Sequence, residues 1–147
     1  MMIIAEKTFR VAGSQEKIWE FLTKALLRSI PFEQVEFTDE RGFSALLRLK
    51  IGYLTLPTKV TVAISNMVEP ETFAAKISLS GMGGIIQLDQ VARFDVKGSD
   101  KAPTEVAAKL EAERMSPLLH TFLLWKVKSF ARDFLNNVER LLKDWVL

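Results

Sequence analysis

His120 is the only histidine in the chain and the residue whose type is best suited to chemistry. When the C-terminal residues are placed about 100° apart, His120 falls near the centre of an apolar helix face. An imidazole in that position can donate a hydrogen bond to a carbonyl or hydroxyl group of a bound ligand. Burial against a backbone carbonyl or Gln90, or a position at a solvent-facing mouth, explains the same residue without a ligand. The sequence leaves these interpretations open.

No other residues form a recognisable catalytic or metal-binding set. The chain has no cysteine, and a single histidine leaves no nucleophile–base–acid combination and no metal-ligand spacing. The glycine-rich segment 81–84 joins two predicted strands, so it predicts a hairpin turn rather than a phosphate-binding loop. We therefore expect no catalytic residues, no metal and no cofactor.

Length and composition fit one domain over residues 1–147. Hydrophobic residues make up 48% of the chain, which is enough to fill a core, and the net charge is only +2. Basic residues are dispersed among acidic ones, which argues against nucleic-acid binding. No apolar run reaches the roughly 20 residues that span a bilayer, and residues 1–11 carry charges where a signal peptide has an apolar core. We expect a cytoplasmic protein, with peripheral attachment at the inner membrane face as an alternative.

Residues 116–147 predict one long amphipathic helix. Ser116 and Pro117 are typical of a helix start, since the hydroxyl accepts a hydrogen bond from a free backbone N–H and proline has no N–H to satisfy. At 1.5 Å per residue the helix is about 45 Å long, and its apolar face needs an equally long apolar surface opposite it. That face comprises Leu123, Val127, Phe130, Ala131, Phe134, Val138, Leu141, Leu142 and Trp145.

Upstream of this helix the hydrophobic period is two, which predicts β-strands. The first strand covers residues 3–11, Ser14 then caps a short helix that runs to Leu22, and a second short helix follows over residues 25–28. Further strands are predicted over residues 34–38, 43–51, 56–64, 73–79, 86–96 and 104–114. Because the turns between them are short, neighbouring strands are antiparallel. One face of the sheet is apolar and the other is charged.

These elements predict an α+β helix-grip fold. Long strands with one apolar face twist and curl, and the C-terminal helix has one apolar stripe to bury. Both requirements are met when a curved antiparallel sheet of six to seven strands wraps around the long C-terminal helix, with the short helices after the first strand.

The order of elements resembles the START-like (SRPBCC, helix-grip) superfamily, and most closely its CoxG family of carbon monoxide dehydrogenase subunits. The resemblance is carried by Phe9-Arg10-Val11, the stretch Glu16 to Leu22, Ile51-Gly52, the glycine segment 81–84, and Phe130 and Phe134 of the terminal helix. It covers nearly the whole chain. It implies a deep apolar cavity between helix and sheet that holds a lipid, quinone or other hydrophobic molecule. For the CoxG relatives it also implies a membrane-associated role beside a molybdenum hydroxylase.

Inward-facing positions on the strands and the helix are the predicted lining of this cavity. They are Leu47, Leu49, Ile51, Thr58, Val60, Ile86, Leu88, Gln90, Ala108, Leu110, Ala112, His120, Leu123 and Val127. Gln90 and Thr58 are polar on apolar faces, and each either points into the cavity or bonds a neighbouring strand or water. Ala45 and Ala92, like the two alanines in that set, either leave a void or let the helix pack closer.

A second, smaller apolar stripe lies on the far side of the terminal helix. It consists of Leu118, Phe122 and Trp125, which we call the aromatic stripe. Phenylalanine and tryptophan exposed together indicate a contact surface, unless a loop from elsewhere in the chain covers them. The candidate contacts are a second copy of the chain in a homodimer, a membrane surface, and an oxidoreductase partner.

We therefore expect non-catalytic binding of a hydrophobic small molecule or lipid, quinone-like or fatty, in the cavity between sheet and helix. Two alternatives remain. The first is an accessory subunit that docks a molybdenum hydroxylase of the carbon monoxide dehydrogenase type at the membrane. The second is a polyketide cyclase-like enzyme that uses His120 as its acid or base.

Overall fold

The chain forms one antiparallel sheet and a set of helices that close over one of its faces. The computed structural model describes residues 2–26, 33–39, 42–51, 53–98 and 103–146, except for the side chains of residues 38, 39 and 51. The strands are β1 (Met2–Val11), β2 (Glu33–Asp39), β3 (Gly42–Ile51), β4 (Leu54–Val68), β5 (Thr72–Gly81), β6 (Ile86–Lys97) and β7 (Thr104–Met115). The helices are α1 (Gln15–Glu20), α2 (Pro117–Phe122) and α3 (Leu124–Trp145).

The sheet has seven strands in the order β1-β7-β6-β5-β4-β3-β2, and every neighbouring pair is antiparallel. The β5–β6 connection is a tight turn at Met82–Gly84, where Gly83 and Gly84 adopt positive φ angles of 64° and 96°. Glycine adopts this conformation without steric cost, so the segment forms a hairpin, as its position between two strands predicts. The prediction of an α+β helix-grip fold is confirmed.

The inner face of the sheet follows the predicted alternation, with one added feature in β1. In β7, Val106 and Leu110 are buried while Glu105 and Lys109 are partly exposed. In β1 a register shift lies between Ile3 and Ala5. A bulge reverses the side to which the following residues point. It therefore brings Ile4, on the other alternation of the strand from Phe9 and Val11, to the buried side.

The segment after β1 continues α1 without a break. Ser14 caps α1, because its Oγ accepts a hydrogen bond from the Lys17 backbone N–H at 3.3 Å. One turn of π-helix, Phe21–Ala25, follows directly. The second short helix predicted over residues 25–28 lies mostly outside the described residues.

The C-terminal segment is two helices rather than the single helix predicted. Leu123 interrupts it with φ −122° and ψ 15°, which are not helical angles. Ser116 does not cap the first helix. Its Oγ instead donates to the Ile85 carbonyl at 2.8 Å and accepts from the Gln87 N–H at 3.2 Å. These bonds tie the start of α2 to the start of β6, and α3 takes a separate direction after the break.

The C-terminal half of α3 packs into a solid core with α1 and the adjoining ends of the strands. Leu135, Val138 and Leu142 are at most 1% exposed, and Ile18 of α1 is fully buried. A Cβ on Gly13 would lie 2.9 Å from the Val146 Cγ1, so only glycine lets the chain pass this close to the end of α3. This end of the molecule has no space for a ligand among the residues described.

An ion-pair cluster joins α3 to the edge strand β1, the strand on which α3 packs most closely. Lys7 contacts the Glu139 carboxylate at 2.5 Å and donates a hydrogen bond to the Asn136 Oδ1 at 2.6 Å. Lys143, one turn after Glu139, donates to the same carboxylate at 2.8 Å. Hydrogen bonds from Lys143 and Lys7 hold the pKa of Glu139 below its usual range. The cluster fixes α3 along one side of the sheet.

Candidate functional site: an apolar cavity under the terminal helix

A cavity of about 330 Å³ lies between the inner face of the sheet and the N-terminal half of α3. Strands β1 and β3 to β7 line it from below, and α2, α3 and the turn after α1 close it from above. The lining is Ile4, Leu22, Leu26, Leu47, Leu49, Val60, Val62, Ile64, Phe73, Ala75, Ile77, Leu79, Ile86, Leu88, Gln90, Ala92, Phe94, Leu110, Leu119, Leu123, Lys126, Val127, Phe130, Ala131 and Phe134. An engineered cavity of about 150 Å³ already binds benzene, so this one is large enough for a small apolar molecule.

The position of α3 accounts for the empty space. The helix is held against β1 at one edge of the sheet, whereas the cavity extends over β3 to β6. The side chains that face each other across the gap include Ala75, Ala92 and Ala131, all buried. Methyl groups do not bridge the separation that the curved sheet and the anchored helix leave between them. The space is therefore built into the arrangement of the elements.

Polar groups are scarce in the cavity. Among the described residues, Gln90 on β6 and Lys126 on α3 are the only lining residues with a polar or charged side chain. The described part of the chain supplies no hydrogen-bond partner for the Gln90 amide, so the amide is available to a guest. Such a cavity favours an apolar ligand with one or two polar groups that set its orientation.

The cavity reaches the surface along one side of α3. Phe130 lines it and is still 41% exposed, and Lys126 is partly exposed one turn earlier. We call these two residues the mouth. The Lys126 Nζ lies 5.1 Å from the ring centroid of Phe130 and 5.5 Å from that of Trp125. Both distances are within the range of a cation–π contact, which holds the ammonium group beside the opening.

The predicted lining residues fall into three groups. The structure brings together nine of them around the cavity: Leu47, Leu49, Val60, Ile86, Leu88, Gln90, Leu110, Leu123 and Val127. Thr58, Ala108 and Ala112 are buried but do not line it. The side chain of Ile51 lies outside the described part. The remaining residue, His120, lies on the surface.

The three buried residues that miss the cavity have local explanations. Thr58 is fully buried, and its hydroxyl donates to the Leu56 carbonyl at 3.3 Å, which is a bond within the sheet rather than a ligand contact. Ala108 and Ala112 lie on β7, beside the strand on which α3 packs. On β7 the small residues lie where the helix is near, whereas Ala75 and Ala92 on β5 and β6 border the space.

The expectation that His120 points into the cavity is wrong. That expectation assumed one continuous helix, whereas the break at Leu123 separates α2 from α3. The two helices therefore do not share one apolar face. In α2 the buried residue is Leu119, one position earlier, and it is Leu119 that lines the cavity. His120 is exposed.

Several lining residues were missed for different reasons. Inward positions of β5, such as Phe73 and Ile77, were visible from the alternation, but the sequence does not show over which strands the helix leaves a gap. Leu22 and Leu26 lie on the helical turn after α1, whose place over the sheet depends on tertiary packing. Lys126 was assigned to the solvent face, yet a long side chain can lie along apolar surface while its ammonium group stays near water.

The aromatic stripe is largely exposed. Phe122 is 70% exposed and Trp125 67% exposed, while Leu118 is half-buried. Trp125 also adjoins Lys126, so the stripe and the mouth form one continuous region of the surface. Large aromatic side chains exposed side by side indicate a contact surface.

Metal ligation has no support among the described residues, which contain no group of three His, Cys, Asp or Glu residues placed to hold an ion. None of the described helices has both the length and the apolar character that crossing a bilayer requires.

Known structures with a similar fold have little sequence in common with this chain. A conserved protein from Geobacillus kaustophilus superposes with a TM-score of 0.79 at 12% identity, covering 96% of this chain and 93% of that chain. A START superfamily protein from Mycobacterium smegmatis gives a TM-score of 0.56 at 17% identity, with 97% of this chain and 95% of that chain covered. The di-domain ARO/CYC StfQ from the steffimycin biosynthetic pathway gives 0.61 at 12% identity, where 99% of this chain corresponds to 51% of that chain. These similarities show a START-like fold.

The sequence itself assigns the family. No curated protein matches the chain. The family model for CoxG, a subunit of carbon monoxide dehydrogenase, matches residues 8–143, which is most of the length of the chain. The chain therefore belongs to the CoxG family of carbon monoxide dehydrogenase subunits, within the START-like superfamily.

Proposed function

We propose that this protein binds a hydrophobic small molecule or lipid, quinone-like or fatty, in the cavity under α3, and that it does so without catalysing a reaction. The observation that carries the proposal is a cavity of about 330 Å³ with an almost wholly apolar lining. A ligand that buries about 200 Å² of apolar surface there gains about 5 kcal/mol. The loss of translational and rotational freedom on binding offsets part of this gain.

The chemistry of the lining favours binding over catalysis. Gln90 and Lys126 lie on opposite walls, one on the sheet and one on the helix, and neither is paired with a nucleophile or base in the described part. The cyclase alternative required His120 inside the cavity, and the exposed position of that residue gives it no support.

Filling the cavity tests the proposal. The probe is N-phenyl-1-naphthylamine, a neutral fluorophore that becomes bright in apolar surroundings. We expect it to bind the wild type with one-to-one stoichiometry. Ala75→Leu on the sheet and Ala131→Leu on α3 place extra volume in the cavity, and each should weaken binding about tenfold or more.

The matched control is Ala63→Leu, because Ala63 is on β4 but exposed on the outer face of the sheet. Thermal denaturation of all variants shows whether they remain folded. Probe affinity unchanged in both folded cavity variants, or weakened equally by the control, would contradict a site under α3.

The aromatic stripe supports a second candidate, an accessory subunit that docks a molybdenum hydroxylase of the carbon monoxide dehydrogenase type at a membrane. Phe122 and Trp125 are exposed beside the mouth, and the family is described as a subunit of carbon monoxide dehydrogenase. Docking there would bring a bound ligand next to the partner.

Trp125→Glu tests this candidate. We expect the variant to keep its melting temperature and its probe affinity while losing co-sedimentation with anionic phospholipid vesicles or co-purification with a large oxidoreductase. The control is Phe37→Glu, since Phe37 is 78% exposed on the edge strand β2. Equal retention of vesicle and partner binding by wild type and Trp125→Glu would rule out the stripe as the docking surface.

A further inference from the structure

We propose that Lys126 is an anchor for an anionic head group, so that the preferred ligand is an amphiphile with an apolar tail and a single negative charge. This inference rests on the proposed function, since it concerns the charge of the molecule that the cavity holds. It narrows the ligand from any hydrophobic compound to one chemical class.

The cavity is electrostatically asymmetric. Lys126 is the only charged side chain among the described residues that line it, and no aspartate or glutamate faces it from the other walls. The charge is therefore not balanced within the site. A positive charge at the edge of an apolar, low-dielectric space attracts an anion more strongly than the same charge on an open surface.

Lys126 also has no anionic partner on the protein. In the described part of the chain no carboxylate lies within ion-pair distance of its ammonium group, whereas Lys7, Lys109 and Lys143 are each paired with a glutamate. Its contacts are with the faces of two aromatic rings. Those rings restrict where the ammonium group can lie without neutralising it, so three hydrogen-bond donors remain for a guest.

The position of Lys126 suits an amphiphile. Lys126 lies at the mouth, and the rest of the lining is apolar apart from Gln90. An amphiphile can place its tail over the inner face of the sheet and leave its charged head at the opening, partly in water. The head then avoids the cost of full desolvation, which would otherwise cancel much of the charge–charge attraction.

Two ligands that differ only in head-group charge test the inference: decanoate and 1-decanol, titrated by displacement of N-phenyl-1-naphthylamine at neutral pH and low salt. We expect wild type to bind decanoate about three- to tenfold more tightly than 1-decanol, the range for a partly exposed charge-assisted contact. Lys126→Gln should abolish that preference by weakening decanoate alone. Lys128→Gln removes an exposed charge two residues away that does not line the cavity, and it should retain the preference.

The outcomes separate this inference from the proposed function. If wild type binds both ligands equally, or if Lys126→Gln keeps the preference for decanoate, the head-group assignment is overturned while the cavity function stands. If neither ligand displaces the probe and the probe itself does not bind, the proposed function fails and this inference fails with it. Melting temperatures of the two lysine variants should match that of wild type, because neither lysine forms an ion pair in the described part.

Discussion

Individual side chains define the cavity mainly by their size. Ala75, Ala92 and Ala131 are buried without filling the space next to them, and larger aliphatic side chains form the rest of the wall. Apolar walls select a ligand by volume and shape, and polar groups select its orientation. Only Gln90 and Lys126 can do the latter among the described lining residues.

At this scale we predict that His120→Ala leaves ligand binding unchanged. The side chain is exposed and does not line the cavity, so its removal should change the affinity for N-phenyl-1-naphthylamine by less than a factor of about two and the free energy of unfolding by less than about 0.5 kcal/mol. Fluorescence titration and urea denaturation measure the two quantities. A large loss of affinity in a variant of normal stability would return His120 to the site.

Helix α3 and strand β1 act as one unit because the Lys7–Glu139–Lys143 cluster joins them. The Glu139 side chain is 19% exposed and is shared by two lysines, so it is more shielded than an ordinary surface pair. If the cluster holds α3 at the edge of the sheet, it also helps to keep the cavity open.

We predict that Glu139→Gln lowers the free energy of unfolding by about 1 kcal/mol at pH 7. Because the pKa of Glu139 in the folded protein is below its unfolded value of about 4.3, the stabilisation is fully present above that value. It is lost as the pH falls through the folded pKa. The difference between wild type and variant should therefore shrink below about pH 4.

Urea denaturation at neutral and acidic pH measures this difference, and Glu113→Gln is the control, since Glu113 is exposed and forms no ion pair in the described part of the chain. High salt should also reduce the effect of Glu139→Gln at neutral pH, because ions screen the pairs. A difference that stays constant from neutral pH to about pH 3 would show that the cluster does not stabilise the fold through the charge of Glu139.

Sequence patterns predicted the strands well because alternation is a local property. The inward positions of β6 and β7, for example, follow directly from a period of two. The break at Leu123 was not visible, since both sides of it continue a helical pattern and Leu123 itself is a good helix former. It arises from tertiary contacts, including the hydrogen bonds of Ser116 to the start of β6. That one difference moved His120 from the predicted cavity to the surface.

The whole molecule is divided into a solid end and a hollow end. Around Leu135, Val138 and Leu142 the core is fully buried, whereas the N-terminal half of α3 spans the cavity. The sequence predicted a helix on a cupped sheet, but it did not indicate which half of the helix would cover empty space. That depends on how α1 fills one end of the cup and leaves the other.

This division predicts a gradient of local stability along α3. Amide hydrogens of residues 126–134 should exchange faster than those of residues 138–145, because fewer buried contacts oppose local opening over the cavity. Saturating decanoate should slow exchange in the first segment by about tenfold or more and leave the second nearly unchanged. Hydrogen exchange followed by mass spectrometry measures both. Uniform protection along α3, with or without the ligand, would contradict the division.

Ligand binding under α3 is tested most directly by native mass spectrometry of the purified protein. If the cavity holds a hydrophobic guest, the wild type should carry a single adduct that dissociates on activation and is identified as a lipid or quinone in an organic extract. The double variant Ala75→Leu/Ala131→Leu, purified in parallel and still folded, should appear at the mass of the bare chain. A bare mass for the wild type that persists after incubation with decanoate, or the same adduct on both proteins, would contradict a guest in this cavity.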